Sequence, residues 1–417
     1  MPEPALPDGF SHTMLPSGVE LAVDRLPGRQ TVAIVLRMLT TLADEPAELA
    51  GLHLLVERTL SKGTQRFDGR GLADAFDAIG VRTATATGRQ SIVVRVLCLP
   101  EFVGQTLALL AELLCRPSFP DEACRVAVEL AQQDLKHLDD DPQDILRIMI
   151  QELTLGPVFG RHLGGTAESL ARITPDAVRR HWAAQYRAGR LQVAAAGPLD
   201  PARLSDEVEA AFAGLGQPGR SGRDPLDYSF TPARAHRDKD LQQQYIALTL
   251  PGVPKGHADF AVEQILLGVL SGGMGGRLFT EVREKLGLVY WVGAWHEQLR
   301  GAGVIHLGAS STPKRCHKTY DTLLRELRRL GDDLTPAEVE RARVGLLAHH
   351  QTEDDQTRAR AASLSDDLFH FGRPIGPDAK NAALAAVTRE QVCAYARQLP
   401  RERLCVATLG PRRLAEM

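Results

Sequence analysis

The chain repeats itself, and this limits its fold more than any other feature. ITPDAVRRHWAAQYRAGRLQVAAAGP at 173–198 follows the same plan as VTREQVCAYARQLPRERLCVATLGP at 387–411. Each has a Thr before a short helical stretch, then a basic turn, an apolar strand and Gly-Pro, at an offset of 387 − 173 = 214 residues. FPDEACRVAVELAQQDLKHLDDD at 119–141 pairs with LTPAEVERARVGLLAHHQTEDD at 334–355 at 334 − 119 = 215. Two segments at one offset, close to half of 417 residues, indicate a duplicated domain rather than one continuous core. The Gly-, Pro- and charge-rich run LGQPGRSGRDPLDYSFTPARAHRDKD at 215–240 has no periodicity and reads as the joint. The expected division is a domain at 1–215, a linker at 216–240 and a homologous domain at 241–417.

Within each half, strands and helices come in groups. VELAVDR (19–25) and TVAIVLRML (31–39) read as paired strands around LPGRQ, and RQSIVVRVL (89–97) as another. LPEFVGQTLALLAELLC (99–115) and 121–138 have helical spacing. Thr335-Pro336-x-Glu338 and Thr388-x-x-Gln391 have the form of capping boxes. The expected class is α+β, with two tandem homologous domains, each a largely antiparallel sheet packed with helices on one face.

Composition narrows the partners. A formal net charge of −3 gives no reason to expect a nucleic-acid or membrane partner. No apolar run approaches the ~20 residues of a bilayer span, and MPEPALPDGFSHTMLPSG lacks the pattern of a signal peptide. The six cysteines, at 98, 115, 124, 316, 393 and 405, form no C-x-x-C pair. They read as small core residues in a reducing, cytoplasmic compartment.

The stretch EPAELAGLHLLVERTLSKGTQRFDG (45–69) puts a His and a Glu on one helix, followed by Lys62-Gly63-Thr64. It resembles the inverted-zincin peptidases of the pitrilysin/insulinase and mitochondrial-processing-peptidase type. Their segment runs G-x-x-H-x-x-E-H and then Lys-Gly-Thr, with two His ligands and a catalytic Glu on one helix. With Lys62-Gly63-Thr64 setting the register, Glu57 falls on the catalytic glutamate, Leu54 on the first ligand and Arg58 on the second. The distal Glu ligand precedes Asp-x-Pro in the family, and counting back from Asp140-Asp141-Pro142 lands on Asp134. Zinc needs three donors with lone pairs. Leu has none, and Arg stays protonated. The positions Leu54, Glu57, Arg58 and Asp134 are therefore expected to hold no metal, with Arg58 pairing with Asp134 or Glu57 in its place. His53 lies one residue early. As i, i+4 partners on a helix, His53 and Glu57 would still lack a second His. His349-His350 is a poor chelate, because adjacent helical residues point about 100° apart.

A second motif is retained. LLGVLSGGMGGRLFTEVREKLGLVYWVGAW (266–295) resembles the family's Gly-rich SRLF-x-x-x-RE-x-x-GL-x-Y segment. GRLFTEVREK reads as a helix and VYWVGAW as a strand, with Gly287 between. The family's substrate-holding Arg and Tyr map onto Arg283 and Tyr290. An Arg fork can grip a peptide carbonyl or carboxylate, and a Tyr hydroxyl can donate to a developing oxyanion. One departure concerns the strand around Thr83–Ala86, which lacks an Asn common in the family. In relatives that strand is an edge onto which substrate adds.

Some members of this family divide the work between two chains, one with the zinc motif and one with the Arg-Tyr pair. The resemblance implies the second role. The expected function is a non-catalytic subunit of a heterodimeric zinc endopeptidase, inactive alone, lending Arg283 and Tyr290 to a zinc-bearing homologous partner that closes a chamber around unfolded peptide. No cofactor is expected on this chain. The rival readings are a structural scaffold and a self-sufficient zinc peptidase.

Overall fold

The computed structural model describes residues 6–216 and 230–414, so most of the expected linker lies outside the described residues. The chain forms two units that do not coincide with contiguous halves. The first holds the described residues up to Lys136, those from His162 to Gly216, and Glu353–Gly376. The second holds His137–Arg161, the residues from Phe230 to Thr352, and those from Pro377 onward.

The first unit is built on β1 (Phe10–Met14), β2 (Glu20–Arg25), β3 (Val32–Met38), β4 (Arg82–Thr87), β5 (Ile92–Cys98) and β6 (Leu191–Gly197), in the order β1-β2-β6-β3-β5-β4. The second is built on β7 (Arg234–Arg237), β8 (Gln244–Gly252), β9 (Val289–Leu299), β10 (Ala302–Ser311) and β11 (Cys405–Leu409), in the order β7-β11-β8-β10-β9. The β2–β6 and β7–β11 pairs are parallel, and all other pairs are antiparallel. The series β2-β6-β3-β5-β4 and β7-β11-β8-β10-β9 share one connectivity, so the sequence duplication is a duplication of fold. Both halves are α+β.

Helices cover both faces of the first sheet, where the sequence suggested one. On one face, β2, β3 and β6 pack Leu21, Ile34, Leu36 and Val193 with the helices Leu52–Leu60 and Val103–Cys115. On the other, Ala22, Ala33, Val35, Ala194 and Ala196 meet Ala361, Leu364 and Leu368 of the helix Thr357–Phe371. The alanines leave room for close helix approach, and β3 and β6 are buried at every position. Polar bonds fix this helix in register. From β3, Arg37 donates to Ser365 Oγ at 3.1 Å, Ser91 Oγ at 3.1 Å and Asp366 Oδ1 at 2.8 Å. Arg360 Nε donates to Asp24 Oδ2 at 2.7 Å. In the second unit the helix Pro142–Phe159 packs against β8 and β11.

Of the six cysteines, only Cys115 is not fully buried. Among the described residues no helix is long and apolar enough to cross a membrane.

Both capping boxes form. Thr388 N donates to Gln391 Oε1 at 2.8 Å, and Gln391 N donates to Thr388 Oγ1 at 3.2 Å. In the other box Glu338 does two jobs. It accepts from Thr335 N at 2.9 Å, and it receives Arg277 Nε at 2.5 Å and Nη2 at 2.9 Å. Arg277 also donates to Asp333 Oδ1 at 2.6 Å, so one buried guanidinium ties the start of 277–285 to the helix Pro336–Asp354. Burial pushes the Glu338 carboxyl up, but the bonds from Arg277 and Thr335 outweigh it and hold the pKa at about 2. Because the folded value lies below the ordinary 4.5, this stabilisation is complete above about pH 4.5 and is lost as pH falls through about 2. Arg277→Met strips a cation from two acids and is expected to cost about 3 kcal/mol. Urea unfolding from pH 7 to 2 checks this: the variant should lose less stability than the parent across the acid window. Equal acid slopes would show that Arg277 does not hold Glu338.

Candidate functional site

The helix Leu52–Leu60 begins at a position that tolerates only glycine. Gly51 has φ of +100°, and a Cβ there would sit 3.0 Å from the Gly164 carbonyl oxygen. The Glu45 carboxylate caps the helix, accepting from His53 N at 3.0 Å. At the other end Lys62 N donates to Thr59 O, and Thr64 Oγ1 accepts from Arg66 N and Phe67 N to form the turn.

Leu54 and Arg58, as i, i+4 neighbours, lie on one face of this helix. Arg58 Nη2 donates to Asp134 Oδ2 at 2.6 Å, joining it to the helix Asp121–Leu138. The ion pair thus links two of the three positions that the resemblance assigned to metal ligands. The Arg58 side chain is 30% exposed and that of Asp134 56% exposed. Glu57 takes no part in the pair. It accepts from the hydroxyl of Thr85 and, at 3.5 Å, from that of Thr87. Both threonines lie on β4, the edge of the sheet, which is almost wholly exposed.

His53 is fully buried, with Nδ1 3.3 Å from Thr40 Oγ1 and its ring edge-on to His181 at 6.4 Å. Burial first, and the neighbouring His181 second, lower its pKa to about 3, so it is a neutral core histidine. His53 and Glu57 thus have separate partners, and the helical spacing does not make them a pair. His349 and His350 have ring centroids 6.5 Å apart, and His350 Nδ1 bonds Asn381 Oδ1 at 3.0 Å.

These residues do not fit zinc. Leu54 has no donor atom, the Arg58 guanidinium is a fixed cation, and Asp134 is engaged by it. Among the described residues no three His, Cys, Asp or Glu side chains converge as a metal site would require.

In the second unit the glycine-rich turn at 272–276 leads into a π-helix, Leu278–Lys285. Such widened turns are rare and are frequent at functional sites. The structure brings Arg283 and Tyr290 together. The Arg283 guanidinium lies 5.0 Å from the Phe279 ring centroid and 5.8 Å from that of Tyr290. Both are exposed, Tyr290 at 76%, on or beside the edge strand β9. The sequence reading passed over Trp291 and Trp295. They lie with ring centroids 6.0 Å apart on β9, 40% and 43% exposed, and Trp295 stacks on His306. Their i, i+4 spacing in YWVGAW could have been followed: residues an even number apart on a strand share a face.

Residues 21–166 match the model described as insulinase (peptidase family M16), and residues 172–346 match the peptidase M16 inactive domain. The chain belongs to the M16, or insulinase, family of peptidases. It is 24% identical over 415 residues to an uncharacterized zinc protease of Rickettsia bellii, covering 98% of this chain and 99% of that one. It is 25% identical over 398 residues to an uncharacterized zinc protease of Bacillus subtilis, covering 95% and 97%. A solved peptidase M16 inactive domain from Pseudomonas fluorescens superposes with a TM-score of 0.87 at 19% identity, covering 98% of this chain and 100% of that one. A protease from Helicobacter pylori gives 0.87 at 15%, with the same coverage. At these identities the two structures establish the fold alone.

The half-exposed setting of the Arg58–Asp134 pair sets its strength. A double-mutant cycle of Arg58→Leu and Asp134→Asn should give a coupling of roughly 0.2–1 kcal/mol, fading in 1 M salt. Zero coupling at low salt would mean that the two side chains do not meet in solution.

Proposed function

We propose that this chain is the non-catalytic subunit of a two-chain zinc endopeptidase, supplying Arg283 and Tyr290 to a homologous, zinc-bearing partner. The Arg58–Asp134 ion pair carries this reading, because a fixed cation joins two positions where a metal would need donors. The exposure of Arg283 and Tyr290 supports it from the other side. A Tyr hydroxyl and an Arg fork that, among the described residues, no carboxylate engages are available to a bound peptide. The substrate class is unfolded peptide, gripped along its backbone by Arg283, with Tyr290 donating to the oxygen that becomes negative. On this reading the chain carries no cofactor, and zinc belongs to the partner. A cytoplasmic location belongs to the same proposal. It rests on the sequence, where scattered cysteines suit a reducing compartment.

Reconstitution with a homologous chain bearing an intact His-x-x-Glu-His motif tests the proposal. The complex should cleave an unfolded peptide, and this chain alone should not. Tyr290→Phe should leave assembly intact on size exclusion and slow turnover on the order of a hundredfold. Arg283→Ala should mainly raise KM. Parental rates in both variants would mean that the pair is structural.

A further inference from the structure

The second unit contains a recess of about 460 Å³ away from Arg283 and Tyr290, and its chemistry plays no part in the function proposed above. Leu324, Leu327 and Leu404 form its apolar floor, and Arg234, Arg328 and Arg401 stand around it. Three guanidiniums and one carboxylate, that of Glu402, line it, and Asp332 stands near enough to act on Arg401. Among the described residues none of the three arginines is ion-paired with an acid. Two of them are nevertheless held in place by neutral acceptors. Arg401 Nη2 donates to the carbonyl oxygens of Ala396 at 2.8 Å and Leu327 at 3.2 Å. Arg234 Nη2 donates to the Tyr320 hydroxyl at 3.0 Å, beneath which the ring is buried. Among the described residues Arg401 Nε is buried without an acceptor, and Arg328, on the helix Cys316–Arg329, is exposed and has no hydrogen-bond or ion-pair partner. Burial first, and the charge of Arg328 second, press the Arg401 pKa down.

Guanidiniums that outnumber the carboxylates beside them repel one another, and an anion bound between them relieves that repulsion. A guanidinium fork matches a planar carboxylate, and the leucine floor favours an aliphatic body behind it. We propose that this recess binds an aliphatic carboxylate, with its head between Arg328 and Arg401 and its chain over Leu324, Leu327 and Leu404. The same chemistry is offered by a medium-chain fatty acid and by the free C-terminus of a peptide ending in leucine.

Calorimetric titration of the full chain with sodium octanoate tests this, beside a pentapeptide ending in leucine and the same peptide as its C-terminal amide. Saturable binding of one octanoate per chain is expected, about tenfold weaker in Arg328→Gln, since a hydrogen bond to a charged group is lost. Arg328→Lys should recover part of the loss. Among the described residues Arg328 makes no hydrogen bond or ion pair, so the Gln variant should keep the parental Tm. 1-Octanol, which has the chain without the charge, should bind at least tenfold more weakly than octanoate. A peptide acid that binds more tightly than both its amide and octanoate identifies the C-terminus as the ligand; octanoate as the tighter binder identifies the fatty acid. Non-saturable binding, equal affinity for octanol, inorganic phosphate matching octanoate, or an unchanged Arg328→Gln would each overturn the proposal.

Discussion

The Arg58 guanidinium, bonded to Asp134 at 2.6 Å, is the charge on which the chemistry of the first unit depends. A divalent cation and a guanidinium cannot share one pair of ligand positions, because the second repels the first and occupies its acid. Glu57 stands apart from the pair and accepts from the hydroxyls of Thr85 and Thr87 on the sheet edge. Leu54, one turn before Arg58, offers only carbon. The helix that carries them keeps its starting glycine, its Glu45 cap and its Lys-Gly-Thr turn. The helix is fixed at both ends, and its side chains at 54 and 58 offer no donor that would suit a metal.

The second unit shows the opposite balance. Nothing there is built for a metal. Yet Arg277, gripped by Glu338 and Asp333, anchors a π-helix that presents Arg283 beside Tyr290. A buried ion network at the start of that helix fixes the element from which the exposed Arg283 projects.

Much of this was legible before any coordinates. The duplication showed in two segments at one offset because each encodes the same order of helix, turn and strand, and the strand orders of the two sheets repeat it. The sequence left Arg58 a choice between Asp134 and Glu57, both positions taken from the family resemblance, and in the structure it bonds Asp134. Asp134's exposure was not legible, since spacing along one helix does not say how near a second helix comes. His53 shows the same limit: i, i+4 spacing suggested a partnership with Glu57, while packing sent the ring into the core beside His181. The second covered face of the first sheet was missed although LQVAAAG is apolar at consecutive positions, a pattern of strands buried on both sides. The helix that covers it, Thr357–Phe371, is distant in sequence, and no local pattern points from one to the other.

Metal stoichiometry in a variant with the donors restored tests the central claim most directly. The parent and the triple variant Leu54→His/Arg58→His/Asp134→Glu would each be saturated with zinc, dialysed, and measured by inductively coupled plasma mass spectrometry. The parent should retain far less than one equivalent and the variant about one, because only the donors differ while the helices that would present them remain. A full equivalent of zinc in the parent, lost on His53→Ala, would contradict it.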